Sequence, residues 1–90
     1  MKYKFSEDKQ IAQAKKHIDK TYGQHYGNGK YQATDVIIDA GYGEAFCMGN
    51  IMKYAMRYGK KNGKNKDDLM KIIHYTVIAM HLLDEEVRNG

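Results

Sequence analysis

Ninety residues, with fifteen Lys and Arg against eleven Asp and Glu, carry a formal charge of +4. They make one small domain, expected to span 1–90. A chain this short buries about 60–65% of its unfolded surface, which excludes a large enclosed active site built from one copy. The basic surplus suits an anionic partner but is too sparse to favour a specific nucleic acid.

Proline is absent, and the chain reads as helices joined by glycine-rich loops. No apolar run is long enough to span a bilayer, and "MKYKFSEDKQ" lacks the core of a signal peptide. A cytoplasmic chain with no membrane partner is expected. The single Cys47 permits no internal disulfide and lies among apolar neighbours, so an inert buried thiol is expected.

The first helix is expected to start at Ser6 as N-cap, with Glu7 and Asp8 in the positive first turn. Ile11, Ala14, Ile18 and Tyr22 follow at helical spacing, and Gly23 is expected to end it. "GQHYGNGKY" (23–31) reads as a loop, with a hairpin at its Asn-Gly as the weaker alternative. "QATDVIIDAG" predicts a two-turn helix with Thr34 as N-cap, closed by Gly41. A third helix is expected from Glu44 to Tyr58, closed by Gly59. After the loop "KKNGKN", Asn65 caps a long fourth helix with Asp67 and Asp68 in its first turn, running to about Arg88. The fold class is therefore all-α: a bundle of about four helices, two longer and two shorter.

The fourth helix is apolar around most of its circumference. Leu69, Ile73, Met80, Leu83 and Val87 fall on one side, and only the strip of Lys71, His74, His81 and Glu85 stays polar. Three short partner helices can hardly cover such a surface, so a homo-oligomer with this helix at its interface is expected. A compact monomer with an apolar edge is the alternative. His74 and His81 lie two turns apart, too far to share one metal.

On the third helix, Ala45, Met48, Ile51, Met52, Ala55 and Tyr58 form the apolar side. Opposite them lie Phe46, Asn50, Lys53 and Arg57, flanked by Tyr54. An aromatic, an amide and two cations can stack on a base, read its edge and bind phosphate; a solvated face is the plain alternative. Lys60, Lys61, Lys64 and Lys66 either close over phosphate or merely keep a loop solvated. "GKKNGKN" fails as a phosphate-binding P-loop: three residues rather than four separate Gly59 and Gly63, and Asn65 stands where a hydroxyl is needed. His25 and Tyr26, beside flexible backbone, complete the candidate ligand contacts. One serine and no Glu-x-x-Glu pair leave no catalytic residue, no metal ligand and no cofactor to assign.

The pattern His25-Tyr26, Asp35-Val36-Ile37, Phe46, Gly49-Asn50, Lys53-Tyr54, Arg57, Lys60, Asp68-Leu69, Lys71 and Tyr75 resembles the SaV-like family of small phage proteins. One member of that family is described as a coliphage nucleotide kinase. The resemblance covers residues 24–84 and leaves the first helix, 1–23, outside. "MKIIHY" departs from it where Lys-Ala and a Trp-Tyr-like pair would stand. The resemblance implies phage origin, a host cytoplasm and a nucleotide ligand at His25, Tyr26, Phe46, Asn50, Lys53, Tyr54, Arg57, Lys60 and Lys61. Two functions fit. One is a sponge of the anti-CBASS type, holding cyclic di- or oligonucleotide immune signals without chemistry; the other is a nucleoside monophosphate kinase. An inhibitor of a host protein or nucleic acid is a third. The kinase would need magnesium carboxylates and two nucleotide sites, so the sponge is favoured.

Overall fold

The computed structural model describes residues 1–25 and 32–90; residues 26–31, and the side chains of residues 24 and 25, lie outside the description. The described residues form four helices and no strand: α1 (Glu7–His25), α2 (Ala33–Asp39), α3 (Gly43–Arg57) and α4 (Lys66–Asn89). The all-α expectation is met. The chain divides into two compact units, 1–31 and 32–90, the first holding α1 and the second α2 to α4. None of the described helices is long and apolar enough to cross a membrane.

In the first unit, Ser6 begins α1 as expected: its carbonyl accepts the Gln10 N–H at 2.9 Å, and the Glu7 carboxylate accepts the Phe5 N–H at 2.9 Å. The helix does not stop at Gly23 but runs to His25. A glycine ends a helix by taking a left-handed backbone, and Gly23 is not among the residues with positive φ. The hairpin considered for "GNGKY" falls outside the described residues.

In the second unit, α2 starts earlier than Thr34. Gln32 is the N-cap, and its N–H donates to the Asp35 carboxylate at 2.8 Å. Two bonds close this helix: Gly41 N–H to the Ile38 carbonyl at 2.9 Å and Tyr42 N–H to the Ile37 carbonyl at 3.0 Å. That is a Schellman ending, which needs a left-handed residue, and Gly41 supplies it at φ +91°. Gly41→Ala is expected to cost about 1–2 kcal/mol and lower Tm by about 5–15 °C; calorimetry showing an unchanged Tm would contradict the strained turn.

The strongest cap is on α4. Asn65 Oδ1 accepts the Asp68 N–H at 2.9 Å, the N-cap the sequence predicts, and it stops the lysine loop from continuing the helix. The loop is braced: Gly59 N–H donates to the Gly63 carbonyl at 3.1 Å, and Asn65 Nδ2 lies 3.3 Å from the same carbonyl. Helices α3 and α4 then run antiparallel, with Arg57 against Asp68 near the loop, Tyr54 against Tyr75 farther along, and Gly43 against Leu82 at the far end. A Cβ built on Gly43 would come 2.8 Å from Leu82 Cδ1 and 3.2 Å from Ile38 Cγ1. Glycine thus lets α2, α3 and α4 approach one another at that point.

The face that α3 presents to α4 is not the one its methionines suggest. Cys47 and Tyr54 are buried and Phe46, Asn50 and Arg57 half-buried, while Met52 and Met56 are 62% and 66% exposed. Phe46, Tyr54 and Arg57 of the mixed stripe pack on α4, while Lys53 is exposed and Ile51 and Tyr58 of the aliphatic side are half-buried. Aromatic rings carry more buried area than thioethers and pack with specific geometry, and the Arg57 charge meets a carboxylate on the neighbouring helix. Cys47 is the buried thiol expected, and burial pushes its pKa up, which keeps it protonated and unreactive.

Candidate functional site

Three cations converge on one ring between α3 and α4. Lys53 and Lys71 place Nζ 5.0 Å from the Tyr54 ring centroid, and the Arg57 guanidinium carbon lies 5.6 Å from it. Helical spacing explains the arrangement. On α3, Lys53, Tyr54 and Arg57 lie within a single turn. On α4, Asp68, Lys71 and Tyr75 recur at three and four residues, so they share the face that meets α3.

The ring at the centre is held from beneath. Tyr54 is 8% exposed and stacks on Tyr75 at 6.2 Å with 13° between planes. Phe46 meets Tyr75 edge-on at 5.7 Å and 80°, and His74 stacks beside Tyr75 at 6.3 Å. A ring that turns its face to cations attracts each by about 0.5–2 kcal/mol, depending on desolvation. Tyr54 therefore positions charges; so little of it is exposed that it offers scant face for a base. The Phe46 ring, expected to stack on a base, instead packs between the helices. The Asn50 amide donates back to the Phe46 carbonyl at 2.9 Å, so this group is engaged within its own helix.

One carboxylate stands among these cations. Asp68 is wholly buried. Its Oδ2 accepts from Asn65 Nδ2 at 2.9 Å, and its Oδ1 lies 3.3 Å from Arg57 Nε. That contact is ionic but not aligned: both atoms are buried without a hydrogen-bond partner among the described residues. The Arg57 side chain as a whole keeps 26% exposure, so its solvent-facing part lies beyond the buried Nε. Among the described residues no carboxylate pairs with Lys53 or Lys71. The cluster holds three positive charges against one negative, a standing excess at the edge of a packed interface. Like charges gathered this closely repel, and an anion relieves the repulsion.

Of the predicted site residues, Lys53, Tyr54 and Arg57 come together, with Phe46 and Asn50 on the same interhelical face. Lys60 and Lys61 are exposed on the braced loop. The His25 side chain and Tyr26 lie outside the described residues. Lys71 is not among the ligand contacts expected from sequence, where it falls on the polar strip of α4 and in the resemblance pattern. Its signal was the Asp68–Lys71–Tyr75 spacing, which puts a carboxylate, a cation and an aromatic on one helix face. Among the described residues no group of three or more His, Cys, Asp or Glu gathers as metal ligands would.

A family model described as a protein of unknown function, DUF3310, matches residues 20–77. No curated protein and no solved structure matches the chain.

Proposed function

The chain belongs to the DUF3310 family, whose function is unknown, and from that premise we propose that it is a phage nucleotide-binding protein that sequesters cyclic nucleotide immune signals without transforming them. The observation that carries this reading is the convergence of Lys53, Arg57 and Lys71 on Tyr54 with Asp68 as their one carboxylate neighbour. The resemblance to the SaV-like phage proteins supports a nucleotide as the anion's source. In this reading the phosphates occupy the cluster. Lys53 and Lys71 act as point charges. Arg57, with its buried Nε 3.3 Å from Asp68 Oδ1, keeps the rest of its guanidinium as a planar fork for phosphate oxygens. Asp68 is wholly buried, with Oδ2 on Asn65 and Oδ1 facing Arg57, so it balances part of the cluster's charge and leaves the excess to an anion.

The test is a panel of cyclic and linear nucleotides screened by thermal shift. At a ligand concentration a hundredfold above Kd, the bound state gains about 2.7 kcal/mol, raising Tm by about 10–20 °C for a chain of this size. A cyclic di- or oligonucleotide is expected to give the largest shift and to be recovered intact after heat denaturation. Phosphoryl transfer from ATP to a nucleoside monophosphate, with magnesium, would replace this reading by a nucleotide kinase. No shift with any nucleotide would remove it.

A further inference from the structure

Along α4, Leu69, Ile73, Thr76, Met80, Leu83 and Val87 recur at intervals of four, three, four, three and four. That alternation is the seam of a two-stranded helix pair. It is not the row that meets α3, which uses Asp68, Lys71, Tyr75 and Leu82. Four of its apolar members, Leu69, Met80, Leu83 and Val87, stay open within the 32–90 unit, from 41% exposed at Leu69 to 74% at Val87, and Ile73 is half-buried. Thr76 adds no unmet polar group, since its hydroxyl donates to the Ile72 carbonyl at 2.7 Å.

We propose that this seam pairs with the same seam of a second copy, the two α4 helices running antiparallel about a two-fold axis at the level of Ile78. The row is self-complementary in that direction. Leu69 of one copy meets Val87 of the other, Ile73 meets Leu83, and Thr76 meets Met80, so every layer combines one position from each of the two heptad sets. The seam spans about 27 Å at 1.5 Å per residue.

Charge selects the direction. Lys60, Lys61, Lys64 and Lys66 stand at or before the start of α4, and Asp84, Glu85 and Glu86 near its end. An open groove at the acidic end is floored by Ile38, Leu82 and Leu83 and rimmed by Glu44, Glu85 and Glu86. Antiparallel pairing brings the lysine end of each copy to the acidic end of the other and opposes the two helix dipoles. Parallel pairing would set lysine against lysine within a screening length.

Light scattering on the intact chain at micromolar concentration is expected to give twice the 10.4 kDa chain mass. Leu83→Asp is expected to return the protein to a monomer with its circular dichroism unchanged. Direction is read by disulfide trapping: a chain carrying both Leu69→Cys and Val87→Cys cross-links between copies, whereas Val87→Cys alone does not. A monomeric wild type, a dimer that survives Leu83→Asp, or cross-linking by Val87→Cys alone would each overturn the proposal. None of these outcomes depends on a bound nucleotide, so the pairing and the ligand reading stand or fall separately.

Discussion

Asp68→Ala is expected to destabilise the α2–α4 unit by about 3 kcal/mol, more than other single changes near the candidate site. Three losses coincide. Removing the buried carboxylate leaves Arg57 Nε with no counter-charge, and breaking one side of a buried ion pair costs about 3–5 kcal/mol; partial exposure of Arg57 argues for the low end. Asn65 loses the acceptor for its Nδ2, although the cap from Asn65 Oδ1 to the backbone of residue 68 survives. The removed side chain also leaves a void in a fully buried position. Asp68→Asn keeps the volume and one acceptor while removing the charge, so a smaller cost of about 1–2 kcal/mol is expected. Urea denaturation at constant slope separates the two. A loss under about 1 kcal/mol for the alanine variant would mean the ion pair does not organise the helix pair.

The dependence on Asp68 shows where sequence reading reaches and where it stops. Local chemistry is legible one residue at a time: Asn65 before two aspartates marks a helix start, and Gly41 marks an end, because caps and left-handed turns depend on immediate neighbours. Thr34 and Gly23 mislead for a complementary reason. Gln32 wins the cap because Asp35 three residues on can bond its N–H, and a glycine inside a helix costs only about 1 kcal/mol against alanine, too little to stop α1. Which side of α3 faces inward is a pairwise matter. Met48, Met52 and Ala55 make the more aliphatic side, but the partner helix offers an aspartate for Arg57 and an aromatic ring for Tyr54, and no wheel of α3 alone contains α4. Asp68 reads as a favourable charge at a helix N-terminus and as part of the resemblance pattern; its burial and its contact with Arg57 follow from the antiparallel return of the chain. Lys71 escaped for the same reason, since a cation on a polar strip becomes a site residue only when a second helix brings a ring and two more cations to it.

The same geometry tells which variants read binding rather than folding. Lys53→Ala and Lys71→Ala are each expected to weaken nucleotide binding by about 1.5–3 kcal/mol, the range for a hydrogen bond to a charged group, or about 10- to 150-fold in Kd. Folding stability should move by no more than about 0.5 kcal/mol. Taking one cation away from two others relieves repulsion in the free protein, which offsets the lost attraction to the Tyr54 ring, so little net change is expected. Arg57→Ala cannot make this separation. It removes a phosphate contact and also strands the buried Asp68 carboxylate, so its affinity loss would mix binding with unfolding. Titration calorimetry of the two lysine variants, paired with their unfolding curves and with the double variant, isolates the ligand's share. Affinity should also fall as salt rises, and less steeply in either lysine variant than in the wild type. If Lys71→Ala lowers stability while leaving affinity and salt dependence unchanged, the three cations are scaffolding around Tyr54, and the phosphate site lies elsewhere.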